Sequence, residues 1–151
     1  MGCDIHIHYE KKVDGKWVKA EDVKPVSEYD YGEPFGITEY LPFNWRQYSM
    51  FAWLCSGVRN YCDNPSISPQ RGLPDDVSER AKRSYEQWSC DAHSASFLSV
   101  DEIAAYKFEG YFLSRDGEMV TAEELFGSDF FASIEELKRS DCERIVFWFD
   151  N

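Results

Sequence analysis

Arg144-Ile145-Val146-Phe147-Trp148-Phe149 is the stretch on which the fold turns. A strand with one face in water alternates apolar and polar residues. This run hardly alternates, so it predicts a strand buried on both faces, in the middle of a sheet. At the other end of the chain, residues 2–11 and 16–20 do alternate, and Asp14-Gly15 between them is a hairpin signal. Strands at both termini with helices between predict an α+β fold: a mostly antiparallel sheet, short helices and two long irregular loops, in one domain spanning 1–151.

The irregular loops are residues 21–44, with Pro25, Gly32, Pro34, Gly36 and Pro42, and residues 59–76, with Pro65, Pro69 and Pro74. Between them, Met50, Phe51, Leu54, Cys55 and Val58 recur at helical spacing, predicting a helix from Arg46 to Val58 that Gly57 can end. A short helix is expected from Glu79 to about Trp88. Ser99 with Glu102 forms a capping box that opens a helix to about Tyr106. Residues 108–114 and 118–120 read as a second hairpin around Asp116-Gly117. Thr121 with Glu124, and Ser133 with Glu136, are expected to cap two further helices.

Composition excludes whole classes of function. The 151 residues carry 28 Asp and Glu against 16 Lys and Arg, a formal charge of −12, and such a surface repels duplex nucleic acid. No apolar run is long enough to span a membrane, and the N-terminus lacks the pattern of a signal peptide. The five cysteines (Cys3, Cys55, Cys62, Cys90 and Cys142) are odd in number and include no C-x-x-C pair. That predicts free thiols in a reducing compartment, with Cys55 and Cys62 buried and inert. A cytoplasmic location is expected.

Four features point to a site. In an extended strand Asp4, His6 and His8 share one face, about 7 Å apart, where they can ligate a metal or exchange protons. The third histidine, His93, lies in the polar cluster Asp91-Ala92-His93-Ser94-Ala95-Ser96, just before the helix capped by Ser99. That cluster either binds an anion at the helix start or forms a turn bonded to its own backbone. Arg59 and Asn60, and Arg71 beside Gly72, stand in loops. Each arginine can receive a phosphate or carboxylate, or simply pair with Asp75, Asp76 or another acid. The loop aromatics (Tyr29, Tyr31, Phe35, Tyr40, Phe43, Trp45 and Tyr61) either stack on a base or pack against the body of the protein.

The opening Met-Gly-Cys-Asp-Ile-His resembles the start of a family of small phage and prophage proteins. The resemblance extends through Val58-Arg59-Asn60, Arg71-Gly72-Leu73-Pro74-Asp75-Asp76-Val77-Ser78, His93-Ser94-x-Ser96 and the closing Val146-Phe147-Trp148-Phe149-Asp150-Asn151. It singles out Asp4, His6, Arg59, Asn60, Arg71, Asp75, His93, Ser94 and Ser96. His8 stands where the family often carries an aromatic residue, and Ala95 where a histidine is common; both departures count against a metal. The phage likeness implies a protein that counters host immunity, by capturing or by hydrolysing a nucleotide-derived signal. The expectation is therefore a small-ligand-binding protein for an anionic, nucleotide-like molecule, with no cofactor and with a homodimer as the expected assembly. His6, Arg59, Asn60, Arg71, His93, Ser94 and Ser96 would hold the ligand. An alternative is a phosphohydrolase, His-based or using a divalent metal, in which Asp4, His6 and His93 hold the metal or pass protons. A third is an acidic inhibitor of a host protein.

Overall fold

The computed structural model describes residues 2–151. In chain order it contains β1 (Asp4–Val13), β2 (Lys16–Lys19), β3 (Ser27–Asp30), β4 (Ile37–Tyr40), α1 (Tyr48–Leu54), α2 (Glu79–Trp88), β5 (Ala92–Ser99), α3 (Val100–Ala105), β6 (Phe112–Leu113), β7 (Met119–Val120), α4 (Ala122–Phe126), α5 (Ser128–Arg139) and β8 (Arg144–Asp150). The main sheet runs β2-β1-β8-β5, and every pairing in it is antiparallel. The fold is α+β, as expected, with both terminal strands in one sheet.

β8 is the inner strand that its sequence predicts, and alternate residues go to two different layers. Ile145, Phe147 and Phe149 face the main core with Ile5, Ile7 and Tyr9 of β1, and Phe51 of α1 lies 5.0 Å from Phe149. Val146 and Trp148 face α2, whose Tyr85 meets Trp148 edge-on at 5.2 Å. Layers on both faces explain the absence of a polar alternation. Each fully buried Phe here contributes roughly 1.5–3 kcal/mol relative to exposure. Beyond the sheet, Trp53 is enclosed by Phe43, Tyr106, Phe108, Phe126 and Phe130, so much of the aromatic content is core.

Several expectations need correction. The helix expected from Arg46 to Val58 is the shorter α1, which ends at Cys55 in extended backbone before Gly57 is reached. The irregular stretch 21–44 contains the β3–β4 ribbon. The second hairpin keeps only two residues per strand. Ser133 does not cap a helix: it sits inside α5, donating to the Asp129 carbonyl and accepting from the backbone N–H of Phe43. Its buried hydroxyl thus satisfies a loop that would otherwise bury an unpaired amide. The largest change concerns residues 91–96. They form the start of edge strand β5, with a bulge between His93 and Ser96 and Ser94 at φ 56°. The bulge breaks the period-2 pattern that would have announced a strand, and it sets His93 at the far end of the strand from the helix start at Ser99.

No disulfide is formed among the described residues; Cys3, Cys55 and Cys142 are buried, Cys62 half-buried and Cys90 exposed. Burial pushes the Cys55 thiol up to about 12. No helix among the described residues is long and apolar enough to cross a membrane.

Candidate ligand-binding site

The opening strand resolves into a set of internal locks. Cys3 and Ile5 are buried in the core. Asp4 receives both ends of the Arg46 fork at 2.8 and 3.0 Å, and that guanidinium holds its carboxyl below the usual range. Arg46 lies so close to Gly2 that a Cβ there would sit 2.5 Å from its Nη1. His6 Nε2 meets Asp150 Oδ2 at 2.5 Å across the β1–β8 pair, and Trp88 of α2 covers the ring at 4.1 Å. His8 lies against Trp148 at 5.3 Å, and burial lowers its pKa.

The sheet register separates the three expected metal ligands. Asp4 and His6 stand opposite Asp150 and Trp148, on the α2 face. His93 stands opposite Phe149, on the core face. Asp4, His6 and His93 therefore do not converge, and no group of three or more His, Cys, Asp or Glu that could hold a metal occurs among the described residues.

Arg71 and Ser96 are likewise committed to the fold. Arg71 makes a two-pronged pair with Glu102 at 2.5 and 3.0 Å and donates to the Phe97 carbonyl. The pairing of Arg71 with an acid is one of its two expected readings, and the acid is Glu102 rather than Asp75 or Asp76; Asp76 receives Arg144 at 2.8 Å and the Trp17 indole N–H at 2.9 Å. Ser96, fully buried, accepts from the Arg71 backbone N–H. Asn60 closes its own loop, exchanging side-chain bonds with the N–H and carbonyl of Asn64.

What the structure does gather is Arg59, Asn60, His93 and Ser94, joined by Tyr61 and Asn151 around an open depression of about 390 Å³. His93 Nδ1 lies 3.0 Å from Ser94 Oγ, and His93 Nε2 lies 3.1 Å from Asn151 Oδ1. Asn151 Oδ1 accepts, so neutral His93 carries its proton on Nε2 and receives the Ser94 hydroxyl at Nδ1. Gln70 donates to the same hydroxyl at 3.4 Å. Arg59 Nη2 reaches Asn151 Oδ1 at 3.5 Å, and Nη1 donates to Tyr61 Oη at 2.9 Å. Arg59 and Ser94 both hold positive φ, at 52° and 56°. For residues other than Gly this costs of order 1–3 kcal/mol each, and such strain concentrates at functional positions.

A second, more enclosed cavity of about 210 Å³ adjoins the first, sharing Arg59, Asn60 and Tyr61. Tyr48, Ser49, Ala52, Cys62, Asn64, Leu113, Arg115 and Leu125 complete its wall. The Arg59 guanidinium lies 5.1 Å from the Tyr48 ring, and the Tyr48 and Tyr61 rings meet edge-on at 6.4 Å. Asn64 props the wall by donating to the Leu113 carbonyl and accepting from the Leu113 N–H, both at 2.9 Å. Arg115, on the turn between β6 and β7, makes no hydrogen bond or ion pair among the described residues.

Sequence reasoning missed Tyr48, Arg115, Gln70 and Asn151. Only the Asp116-Gly117 turn beside Arg115 carried a local signal, and nothing local brings residues 48, 61 and 115 together. No protein-family model, curated protein or solved structure matches the chain.

Proposed function

We propose that the protein binds a small anionic ligand carrying a ring, of nucleotide type, in the two adjoining depressions around Arg59. One observation carries the reading. In a chain with 28 Asp and Glu residues, none among the described residues lines either depression, whereas Arg59 lines both and Arg115 one. A local positive field in an otherwise repelling surface selects a compact anion over a polyanion. Tyr48 and Tyr61 offer π-faces for a base, and Ser94 and His93 offer hydrogen bonds for a ribose or phosphate edge.

Capture rather than turnover is favoured because the one histidine at the site has both ring nitrogens engaged, with Ser94 and Asn151. The likeness to small phage proteins makes a host immune signal of nucleotide origin the specific candidate. Thermal denaturation against a panel of linear and cyclic nucleotides tests this. A ligand at a hundredfold excess over its Kd stabilises by about 2.7 kcal/mol, a readily seen rise in Tm. Arg115→Ala is expected to abolish that rise while leaving the unliganded Tm unchanged, because Arg115 makes no hydrogen bond or ion pair among the described residues. No rise with any nucleotide, or an equal rise in Arg115→Ala, rejects the reading. Steady conversion of the ligand would replace capture by catalysis.

A further inference from the structure

The β3–β4 ribbon carries chemistry that the Arg59 site does not use. Its register makes two unlike faces. Glu28 opposes Glu39 and Asp30 opposes Ile37 on one; Ser27 opposes Tyr40 and Tyr29 opposes Thr38 on the other. Tyr31 extends the second face, 4.7 Å from the Tyr29 ring and hydrogen-bonded through its hydroxyl to that of Tyr40. Residues 27–40 hold four carboxylates and no Lys or Arg. None of the four forms an ion pair among the described residues. Lys24 at the ribbon's base lines the same depression as Glu28 and Glu39 without pairing to either. Phe35 at the tip is 78% exposed, and Tyr29, Tyr31 and Ile37 are each more than half exposed.

Both long edges of the ribbon are open. Among the described residues the sheet has no third strand, and no backbone hydrogen bond joins 27–31 or 36–40 to another element. A lone two-stranded ribbon is marginally stable in water, and like charges set directly opposite weaken it further. An added strand bearing cations would relieve both deficits.

We propose that the ribbon is a docking edge for an extended, basic segment of a partner protein, joined by β-strand addition. Main-chain bonds along the open edge would supply affinity, and the alternating faces would supply selection. A strand in which Lys or Arg alternates with apolar residues places its cations on the Glu28–Asp30–Glu39 face. Its apolar side chains then fall on the tyrosine face. Charge rules out the other occupants. A second copy of this ribbon would set carboxylates against carboxylates, the arrangement by which natural edge strands avoid self-pairing. Nucleic acid would meet the same repulsion.

The test uses the full chain and short capped peptides, followed by amide resonances. One peptide alternates Lys and Val, a second carries the same residues as a Lys block followed by a Val block, and a third alternates Glu and Val. The alternating Lys–Val peptide is expected to shift the amides of residues 27–31 and 36–40 saturably, and to bind at least about tenfold more tightly than the block peptide. The Glu–Val peptide is expected to leave the spectrum unchanged. Charge reversal at both Glu28→Lys and Glu39→Lys should weaken the Lys–Val peptide by about tenfold or more, with the amides of β1 and β8 unmoved. The comparison of peptides on the unaltered protein stands whatever the reversed variant does. Equal binding of alternating and block peptides overturns the proposal, as do shifts confined to other elements. Concentration-dependent broadening of residues 27–40 without peptide assigns the edge to self-association and overturns it too.

Discussion

Glu10 and Arg144 face each other across β1 and β8 with almost no exposure, their side chains joined at 2.7 Å. The Ser78 N–H donates to the second Glu10 oxygen, Asp76 takes the Arg144 fork, and the Trp17 ring lies 3.8 Å from the guanidinium. Every strong polar atom of the pair is thereby matched, as burial of two charges requires. The cluster also fixes the loop that leads into α2. Glu10→Ala would leave Arg144 with only the more exposed Asp76 as its counter-ion, and a loss of about 3 kcal/mol, the lower end of what removing one partner of a buried pair costs, is expected in urea unfolding. Replacing both partners by apolar residues of similar volume should recover most of that loss. If Glu10→Ala and the double replacement unfold at the same urea concentration, the pair is not what holds the strands at this point.

At the scale of elements, Glu102 serves two masters. Its carboxylate accepts from the Ser99 N–H to complete the capping box of α3, and it receives Arg71 from the loop before α2. Ser99→Ala removes only the cap and should cost about 1 kcal/mol. Glu102→Ala releases helix start and loop together and should cost more; chemical denaturation of the two variants checks the ranking. Elements like these also show how far sequence alone reaches. β8, the Asp14-Gly15 hairpin and the boxes at Ser99 and Thr121 were legible because their signals are local and repeat at the period of the element. β5 was not, because its bulge at Ser94 interrupts the alternation. Ser133 and Glu136 have capping-box spacing but lie inside α5, whose start is set by Gly127. At the site, Arg59, His93 and Ser94 could be named from their polar loop settings. Arg115 could not, because its meeting with Arg59 depends on the packing of the β6–β7 hairpin. Arg71 pairs with an acid, as one of its two readings had it, but Glu102 could not be named because it lies 31 residues away.

For the whole molecule, the response to acid follows from carboxylates held below their ordinary values. The Arg46 fork lowers Asp4, Arg144 lowers Asp76 and Arg139 lowers Glu136. At Asp141 burial works the other way but is outweighed by the N–H groups of Glu21 and Asp22 and by Lys11, and the carboxyl falls to about 2. A folded pKa below the unfolded one gives stability that is present above the unfolded value and lost as pH falls through the folded value. The carboxylate contribution should therefore drain away from the ordinary values of 4.5 and 3.8 down to about 2. His8 obeys the same sign at higher pH: burial lowers its pKa, so stability begins to fall once pH drops below its ordinary 6.5. Melting curves across this range should show a shallow decline first and a steeper one below pH 4.5. Asp141→Asn should flatten the lowest part of the steep limb; an unchanged limb would remove Asp141 from the account.

The position of β8 in the sheet has a consequence for synthesis. The strand that joins β1 to β5 is the last of the sheet to leave the ribosome. Until it emerges, Ile5 and Ile7 on one side and Leu98 on the other have no neighbour to pair with, although the helices between can already form. Completion of residues 144–150 is thus the event that commits the chain to its fold. A nascent chain stopped before Arg144 should remain open to proteases, leaving no half-working fragment behind.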